Sequence, residues 1–354
     1  MAGFTARLLD WHARHGRRGL PWQGSRDPYR VWLSEVMLQQ TQVATAIPYF
    51  ERYVARWPDV QALAVAPLAE VMALWAGLGY YARARNLHRC AQRVVAEHGG
   101  RFPTSSAALA GLPGIGRSTA AAIAAFCFDE RAAILDGNVK RVLARHFGIA
   151  GYPGVASVER ALWQRAQRLL PPAAAMPAYT QALMDLGATV CTRRSPGCER
   201  CPLRATCVAR RSGRVAQLPA PRPPRALRVE RAHLLVALYR GRVLVEQRPP
   251  HGIWGCLLSL PQFVSAAALR RALAGLGGTE SPQALPVRQH AFTHYTLSFT
   301  PHVARLPAAA PLPGGARWLR WGEVHTAALP TPVRRLLAEL APTAKAPRAA
   351  SGIG

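Results

Sequence analysis

Residues 211–231 divide this chain. They hold six Arg, four Pro and one Glu, and their apolar residues follow no regular period. Proline serves neither a helix interior nor a central strand, so residues 211–230 read as an extended basic linker. The N-terminal side has helical patterning. Asp27-Pro28 is a cap followed by proline at the first helical position, opening a run over 29–42. Further helical runs cover 68–76, 82–98 and 118–126, with stops at Gly99-Gly100 and Gly148. Val31, Leu38, Leu87, Val94 and Ile123 fall on the expected buried stripes. On the C-terminal side the period shortens. Strand-like runs cover 233–239, 242–246, 294–303 and 317–321, with a turn at Arg240-Gly241 and a closing helix over 329–340. Residues 342–354 form a small basic tail, expected to be disordered. The chain therefore reads as multidomain: an all-α domain over 1–210, the linker, and an α+β domain over 231–341.

The balance of 45 Lys plus Arg against 18 Asp plus Glu leaves a formal charge of +27. Such an excess attracts polyanions, nucleic acid first among them. The first 20 residues lack the apolar core of a secretory signal. The longest apolar run, 120–128, is far too short to span a membrane. A cytoplasmic, nucleoid-associated protein with no membrane partner is expected. Four of its seven cysteines crowd together, which suits a metal site better than a disulfide framework.

Those four, Cys191, Cys198, Cys201 and Cys207, are spaced C-x6-C-x2-C-x5-C. Four thiolates suit a tetrahedral zinc ion or an iron–sulfur cluster. Zinc ribbons usually use two C-x2-C knuckles, and only one is present, so the spacing favours iron–sulfur without excluding zinc. Arg193, Arg194, Arg200, Arg204, Arg210 and Arg211 surround the cysteines and are expected to face phosphates.

Leu112-Pro113-Gly114-Ile115-Gly116 joins two helical runs. Its two glycines permit a tight turn with positive φ, and the helix that follows offers N–H groups to a phosphate. A plain connection between helices is the simpler reading of the same turn. Acids are scarce, which draws attention to two of them. Glu35 lies within Val31-Trp32-Leu33-Ser34-Glu35-Val36-Met37-Leu38. Desolvation there raises a carboxyl pKa and suits it to general-acid work near neutral pH. Asp136 follows an apolar run and precedes Gly137-Asn138, where it can cap a helix and also serve as a carboxylate. An acid paired with a carboxylate is what cleavage of a glycosidic bond through a cationic sugar requires.

Together these residues resemble the helix-hairpin-helix glycosylase superfamily, and within it the MutY adenine glycosylases. The matching stretches are Leu33-Ser34-Glu35-Val36-Met37-Leu38-Gln39-Gln40-Thr41-Gln42-Val43, then Gly77-Leu78-Gly79-Tyr80-Tyr81-Ala82-Arg83-Ala84-Arg85-Asn86-Leu87, and residues 134–140. The resemblance is strong over 18–207 and weaker over 230–340. It implies an all-α helix-hairpin-helix domain with a [4Fe–4S] loop, followed by a nudix-like domain. It further implies a monomer that removes adenine opposite 8-oxoguanine or guanine in double-stranded DNA. By the same resemblance Glu35 protonates adenine, Asp136 stabilises the cationic sugar and Asn138 positions the site. Arg18, Trp22, Leu38, Gln181 and Met184 would form the adenine pocket. Gln40 and Tyr80 would wedge into the base stack, with Thr41 and Leu78 beside them. Leu112, Gly114, Gly116 and Lys140 would contact the DNA, and Phe292, Thr293 and His294 would read 8-oxoguanine.

Two positions depart from the family pattern: Gln23 stands where Arg is common, and Ser118 where some relatives have Tyr. An endonuclease III-like lyase would carry its Schiff-base lysine at position 118, and a hydroxyl cannot take that role. A nudix hydrolase needs carboxylates for Mg²⁺, and residues 247–279 contain no Asp or Glu. The second domain therefore reads as a recognition module. A pure DNA-binding protein would leave Glu35 and Asp136 unexplained.

Overall fold

A computed structural model describes residues 2–224, 227–250, 252–292, 295–308, 312 and 314–341. The tail 342–354 lies outside the described residues. The chain forms two compact units, residues 1–66 with 83–225, and residues 67–82 with 226–354. None of the described helices is long and apolar enough to cross a membrane.

The first unit contains α1 (Ala2–His15), α2 (Pro28–Leu38), α3 (Val43–Arg56) and α4 (Val60–Val65). The next helix, α5 (Leu68–Trp75), belongs to the second unit. The first unit continues with α6 (Ala82–His98), α7 (Ser106–Leu109), α8 (Arg117–Phe128) and α9 (Gly137–Phe147). It ends with α10 (Ala156–Arg168), α11 (Met176–Asp185) and α12 (Val208–Arg211). Helix α8 packs against α2 and α11, while α11 also meets α1 and α9. Leu8, Ile134, Leu143, Leu162, Tyr179 and Leu186 are buried together in its core.

Local signals explain many boundaries. The Asp27 carboxylate accepts from the Tyr29 N–H at the start of α2, with Pro28 in the first turn. Helix α9 closes on Gly148 in the left-handed conformation. The run expected over 29–42 breaks, however. Helix α2 stops at Leu38, and Gln40 takes φ +59° before α3 begins. A side chain from α6 causes the break. The Arg83 guanidinium donates to the carbonyls of Val36 (3.0 Å), Met37 (2.8 Å) and Gln39 (2.6 Å), and to Thr41 Oγ1 (3.1 Å). A buried cation thus satisfies the carbonyls that a continuing helix would have used.

The expected linker also needs correction. Residues 208–211 form α12, and the chain beyond stays on the first unit. The Ala220 N–H donates to Gly151 O at 3.2 Å, and the buried Arg145 holds Leu218 O at 2.8 Å. Arg145 thus supplies from another helix a donor for the Leu218 carbonyl.

In the second unit β1 (Arg228–Tyr239) begins inside the expected linker. Strand β2 (Arg242–Gln247) follows the Arg240-Gly241 turn, and β3 (Leu258–Ser259) and β4 (Gln262–Phe263) are short. Helix α13 (Ala266–Gly275), which the sequence reading missed, precedes β5 (Gln283–Ala284) and β6 (Arg288–Ala291). Then come β7 (Tyr295–Arg305), β8 (Ala316–Arg320) and the closing α14 (Thr331–Leu340). These strands form one mixed sheet in which β1 runs parallel to β7, with Leu234 opposite Pro301. Strands β2 and β8, and β6 and β7, pair antiparallel. Leu235, Ala237, Leu244 and Ala304 of the sheet pack with Leu269 and Leu273 of α13.

Candidate active site

Glu35 sits on the last turns of α2, among Trp32, Leu33, Val36 and Met37, all buried. It lines a cavity of about 60 Å³ together with Trp22, Leu38, Phe126, Gln181 and Met184. Four of the five residues expected at an adenine pocket are therefore brought together. Arg18 is not. Its guanidinium donates to the carbonyls of His12 (3.2 Å) and Ala13 (3.1 Å), closing the C-terminal end of α1. Arg17 takes the place at the cavity. Its backbone N–H and Nε donate to Asp185 at 2.8 and 2.7 Å, and Gln181 Nε2 reaches Asp185 at 2.8 Å. Burial pushes the Asp185 carboxyl up, but His12, Arg17 and Gln181 together hold it below the ordinary range. Asp185 and Arg17 were missed because one follows Met184 without a motif and the other precedes the expected arginine. Gln23 has a part here too: its side chain accepts from the Leu20 N–H at 3.2 Å and donates to Arg17 O at 3.1 Å, fixing the loop.

Leu38 also lines a much larger groove of about 980 Å³, so the cavity and the groove share a wall. Asp136 and Asn138 lie in that groove with Lys140, Arg141, Arg145, Arg193, Arg194 and Arg222. Cations outnumber carboxylates along this groove, and Arg193, Arg194 and Arg222 are exposed, which suits a phosphate backbone. Lys140, however, does not offer an unengaged ammonium, since its Nζ donates to Glu159 at 2.6 Å. Around the cysteines, Arg204 and Arg210 are drawn to Glu199, at 3.8 and 3.0 Å, while Arg193 and Arg194 are exposed.

Asp136 caps α9, accepting from the Val139 N–H at 2.8 Å. The segment leading to it is tied to α8, because Ser118 Oγ accepts from the Leu135 N–H at 2.9 Å. Asn138 Oδ1 accepts from Arg141 at 2.8 Å, and the same guanidinium donates to Gly187 O and Cys191 O, each at 2.7 Å. Gly187 lies in a π-helical turn, Leu186–Val190, and a Cβ there would fall 2.6 Å from Asn138 Cβ. Only glycine allows that approach, and π turns inserted in helices often mark functional sites. Arg141 therefore joins the start of α9 to the cysteine loop.

The two acids are tuned differently. Burial, and then the charge of Asp136, raise the Glu35 pKa to about 8. Burial also raises Asp136, and the N–H groups of Val139 and Asn138, with Arg141 and Lys140, offset this only in part, so its pKa stays above the ordinary value. Glu35 is therefore protonated at neutral pH, while Asp136 has donors arranged around its anion.

The hairpin between α7 and α8 matches its expected turn at one glycine only. Gly114 has φ +77°, and a Cβ there would meet Asn86 Cβ at 2.7 Å, whereas Gly116 caps α8 at φ −82°. Leu112 and Leu78 are buried, so their side chains serve packing and not a DNA surface. Gln40 and Tyr80 are exposed and both take positive φ, +59° and +47°. Such backbone is unfavourable for bulky residues and concentrates at functional sites. Thr41 is held by Arg83 at 3.1 Å.

Cys191, Cys198, Cys201 and Cys207 line one cavity, with Arg145 Nη1 at 3.5 Å from Cys191 Sγ. Among the described residues no three His, Cys, Asp or Glu side chains converge on a point that would hold a single metal ion. Phe292 stacks on Tyr295 at the end of the β6–β7 pair, with centroids 4.9 Å apart. Thr293 and His294 lie outside the described residues.

Known proteins resemble this chain over both of its parts. Residues 33–168 match the model of the HhH-GPD superfamily base excision DNA repair proteins, and residues 233–339 match that of the NUDIX domain. A solved thermostable thymine-DNA glycosylase is 29% identical, with a TM-score of 0.53 over 59% of this chain and 95% of that one. An endonuclease III in a non-covalent DNA complex, 21% identical, shares the fold at a TM-score of 0.50, over 59% of this chain and 94% of that one. Fold and site thus define a base-excision DNA glycosylase with a C-terminal nudix-like domain. The adenine DNA glycosylase of Buchnera aphidicola subsp. Schizaphis graminum is 33% identical over 94% of this chain and 97% of its own. That of Homo sapiens is 36% identical over 95% of this chain and 73% of its own. The chain belongs to the adenine DNA glycosylase family.

Proposed function

We propose that this enzyme works as a monomer on double-stranded DNA in the cytoplasm, and hydrolyses the N-glycosidic bond of adenine mispaired with 8-oxoguanine or guanine. The observation that carries the reading is the cavity at Glu35, which shares a wall with the basic groove holding Asp136. A flipped adenine enters the cavity while its sugar stays at the groove. Glu35 gives its proton to a ring nitrogen of adenine, and the glycosidic electron pair leaves with the base. The Asp136 carboxylate stabilises the positive charge at C1′ until water adds there and gives its proton back to the Glu35 carboxylate, and Asn138 positions the site. Ser118 has no amine for a Schiff base, and the Lys140 amine is engaged by Glu159, which supports a glycosylase without lyase activity.

A glycosylase assay across all mispairs, with and without alkali, tests this. Adenine should be released opposite 8-oxoguanine and guanine, with strand cleavage only after alkali. Strand cleavage without alkali would favour an endonuclease III-like lyase. The rate should fall as pH rises through about 8, because Glu35 then loses the proton it must donate. It should also fall at acid pH as Asp136 is neutralised. A flat profile above pH 8 in a chemistry-limited assay would remove Glu35 from the acid role.

The cysteine cavity fits a [4Fe–4S] cluster. Four thiols lining one cavity supply the thiolate set that such a cluster takes, and the single C-x2-C knuckle favours it over zinc. When bound, such a cluster would cross-link four points of the 191–207 loop without serving as a reacting group. The purified protein should be brown, with about four irons per chain. Stoichiometric zinc in colourless, active protein prepared with iron available would overturn this. The nudix-like domain, lacking acids over 247–279, would read the lesion through Phe292, Thr293 and His294.

A further inference from the structure

In the second unit the segment 252–257 is unusually constrained. Trp254 and Cys256 both have left-handed backbone, φ +56° and +61°. Between them Gly255 is buried with no room for a Cβ, which would fall 2.6 Å from Pro250 O. The loop closes on itself: the Arg248 N–H donates to Leu257 O at 2.8 Å, and the Leu257 N–H to Trp254 O at 2.9 Å. Gln247 Nε2 adds a bond to Cys256 O at 2.6 Å. Two non-glycine residues kept in unfavourable backbone within three positions require a surrounding structure that over-determines them.

Among the described residues, the aliphatic core built on Leu235, Leu244 and Leu269 does not include this indole. Trp254 is buried against a separate aromatic group at the end of the β6–β7 pair. Its ring lies 5.8 Å from Phe292 and 6.3 Å from His290. Phe292 meets His290 edge-on at 4.6 Å and stacks on Tyr295 at 4.9 Å. Its backbone N–H donates to Tyr295 O at 2.8 Å. The half-buried Phe292 ring is therefore bounded by three aromatic neighbours. Two come from its own strand pair, and one is brought by the constrained loop.

We infer that Trp254 is a positioning residue for lesion discrimination: its indole fixes the Phe292 ring in the orientation that meets the base opposite adenine. The inference rests on the lesion-reading role proposed above. A rigid aromatic support lowers the entropy lost when Phe292 engages its target, so removing it should weaken discrimination more than fold.

The test uses the full-length protein and single-turnover excision of adenine opposite 8-oxoguanine and opposite guanine. Trp254→Leu should lower the 8-oxoguanine to guanine rate ratio about tenfold, on the scale of one base-discriminating contact. Trp254→Phe should restore most of the ratio. The double variant with Phe292→Ala should be no worse than Phe292→Ala alone, because both changes remove one device. If Phe292→Ala lowers the ratio and Trp254→Leu does not, the lesion reading stands and the inference about Trp254 is wrong. Equal losses opposite both bases in Trp254→Leu and Trp254→Phe would reduce Trp254 to a structural prop and also overturn it. If Phe292→Ala itself leaves the ratio unchanged, the lesion-reading role fails and the inference with it.

Discussion

Glu35→Gln is expected to bind mispaired DNA about as tightly as the wild type and to excise adenine about 10²- to 10⁴-fold more slowly, the usual worth of a general acid. The amide keeps the size of the side chain but has no proton to give. A second effect follows from the same burial. The folded Glu35 pKa is about 8 against an ordinary 4.5, so the folded state binds this proton more tightly than the unfolded chain does. Stability then falls as pH rises from the unfolded value towards 8, because an ionised carboxylate must be kept among Trp32, Leu33 and Met37. Glutamine carries no such penalty. The variant should exceed the wild type in stability at pH 9 by about 2–4 kcal/mol, after allowance for solvent reaching the cavity, and match it near pH 4. Single-turnover kinetics and thermal melts at the two pH values check both parts. Substantial excision by Glu35→Gln would remove the acid assignment, and equal melting at pH 9 would remove the buried-acid account.

Asp136 separates capping from charge. Asparagine caps a helix about as well as aspartate, so Asp136→Asn should melt within about 0.5 kcal/mol of the wild type. It should nonetheless lose at least about 10²-fold in excision, since a neutral amide stabilises a cationic sugar poorly. Asp136→Ala loses the cap as well, and should be less stable by about 0.5–2 kcal/mol. Should Asp136→Asn retain full activity, the residue is a cap alone. Should Asn and Ala lose activity only in proportion to their stability, the catalytic role fails in the same way.

Several features were legible in the residues themselves. The bounds of α6 followed from its periodicity and from Gly99-Gly100. The starts of α2 and α9 followed from Asp27-Pro28 and Asp136. Glu35 stood out as an acid in an apolar run, and its raised pKa has the physical cause that setting implied. Ser118 was seen as a departure, but nothing local showed that it would bind the Leu135 N–H.

The sequence by itself therefore determined the two kinds of periodicity, the caps, the cysteine spacing and the apolar setting of Glu35. All of these depend on neighbours a few residues apart, whose interactions are set by helical or strand geometry. Tertiary structure alone decided that Arg17 and not Arg18 meets the cavity, through an Asp185 that lies 168 residues along the chain. It decided that Arg83 ends α2, that Lys140 is spent on Glu159, and that Arg145 holds the proline-rich stretch onto the helical unit. In each case a long cation meets an oxygen brought near only by the closed chain. A flexible basic side chain has many acceptors within reach before folding, and which one it takes is set by the packing of elements distant in sequence.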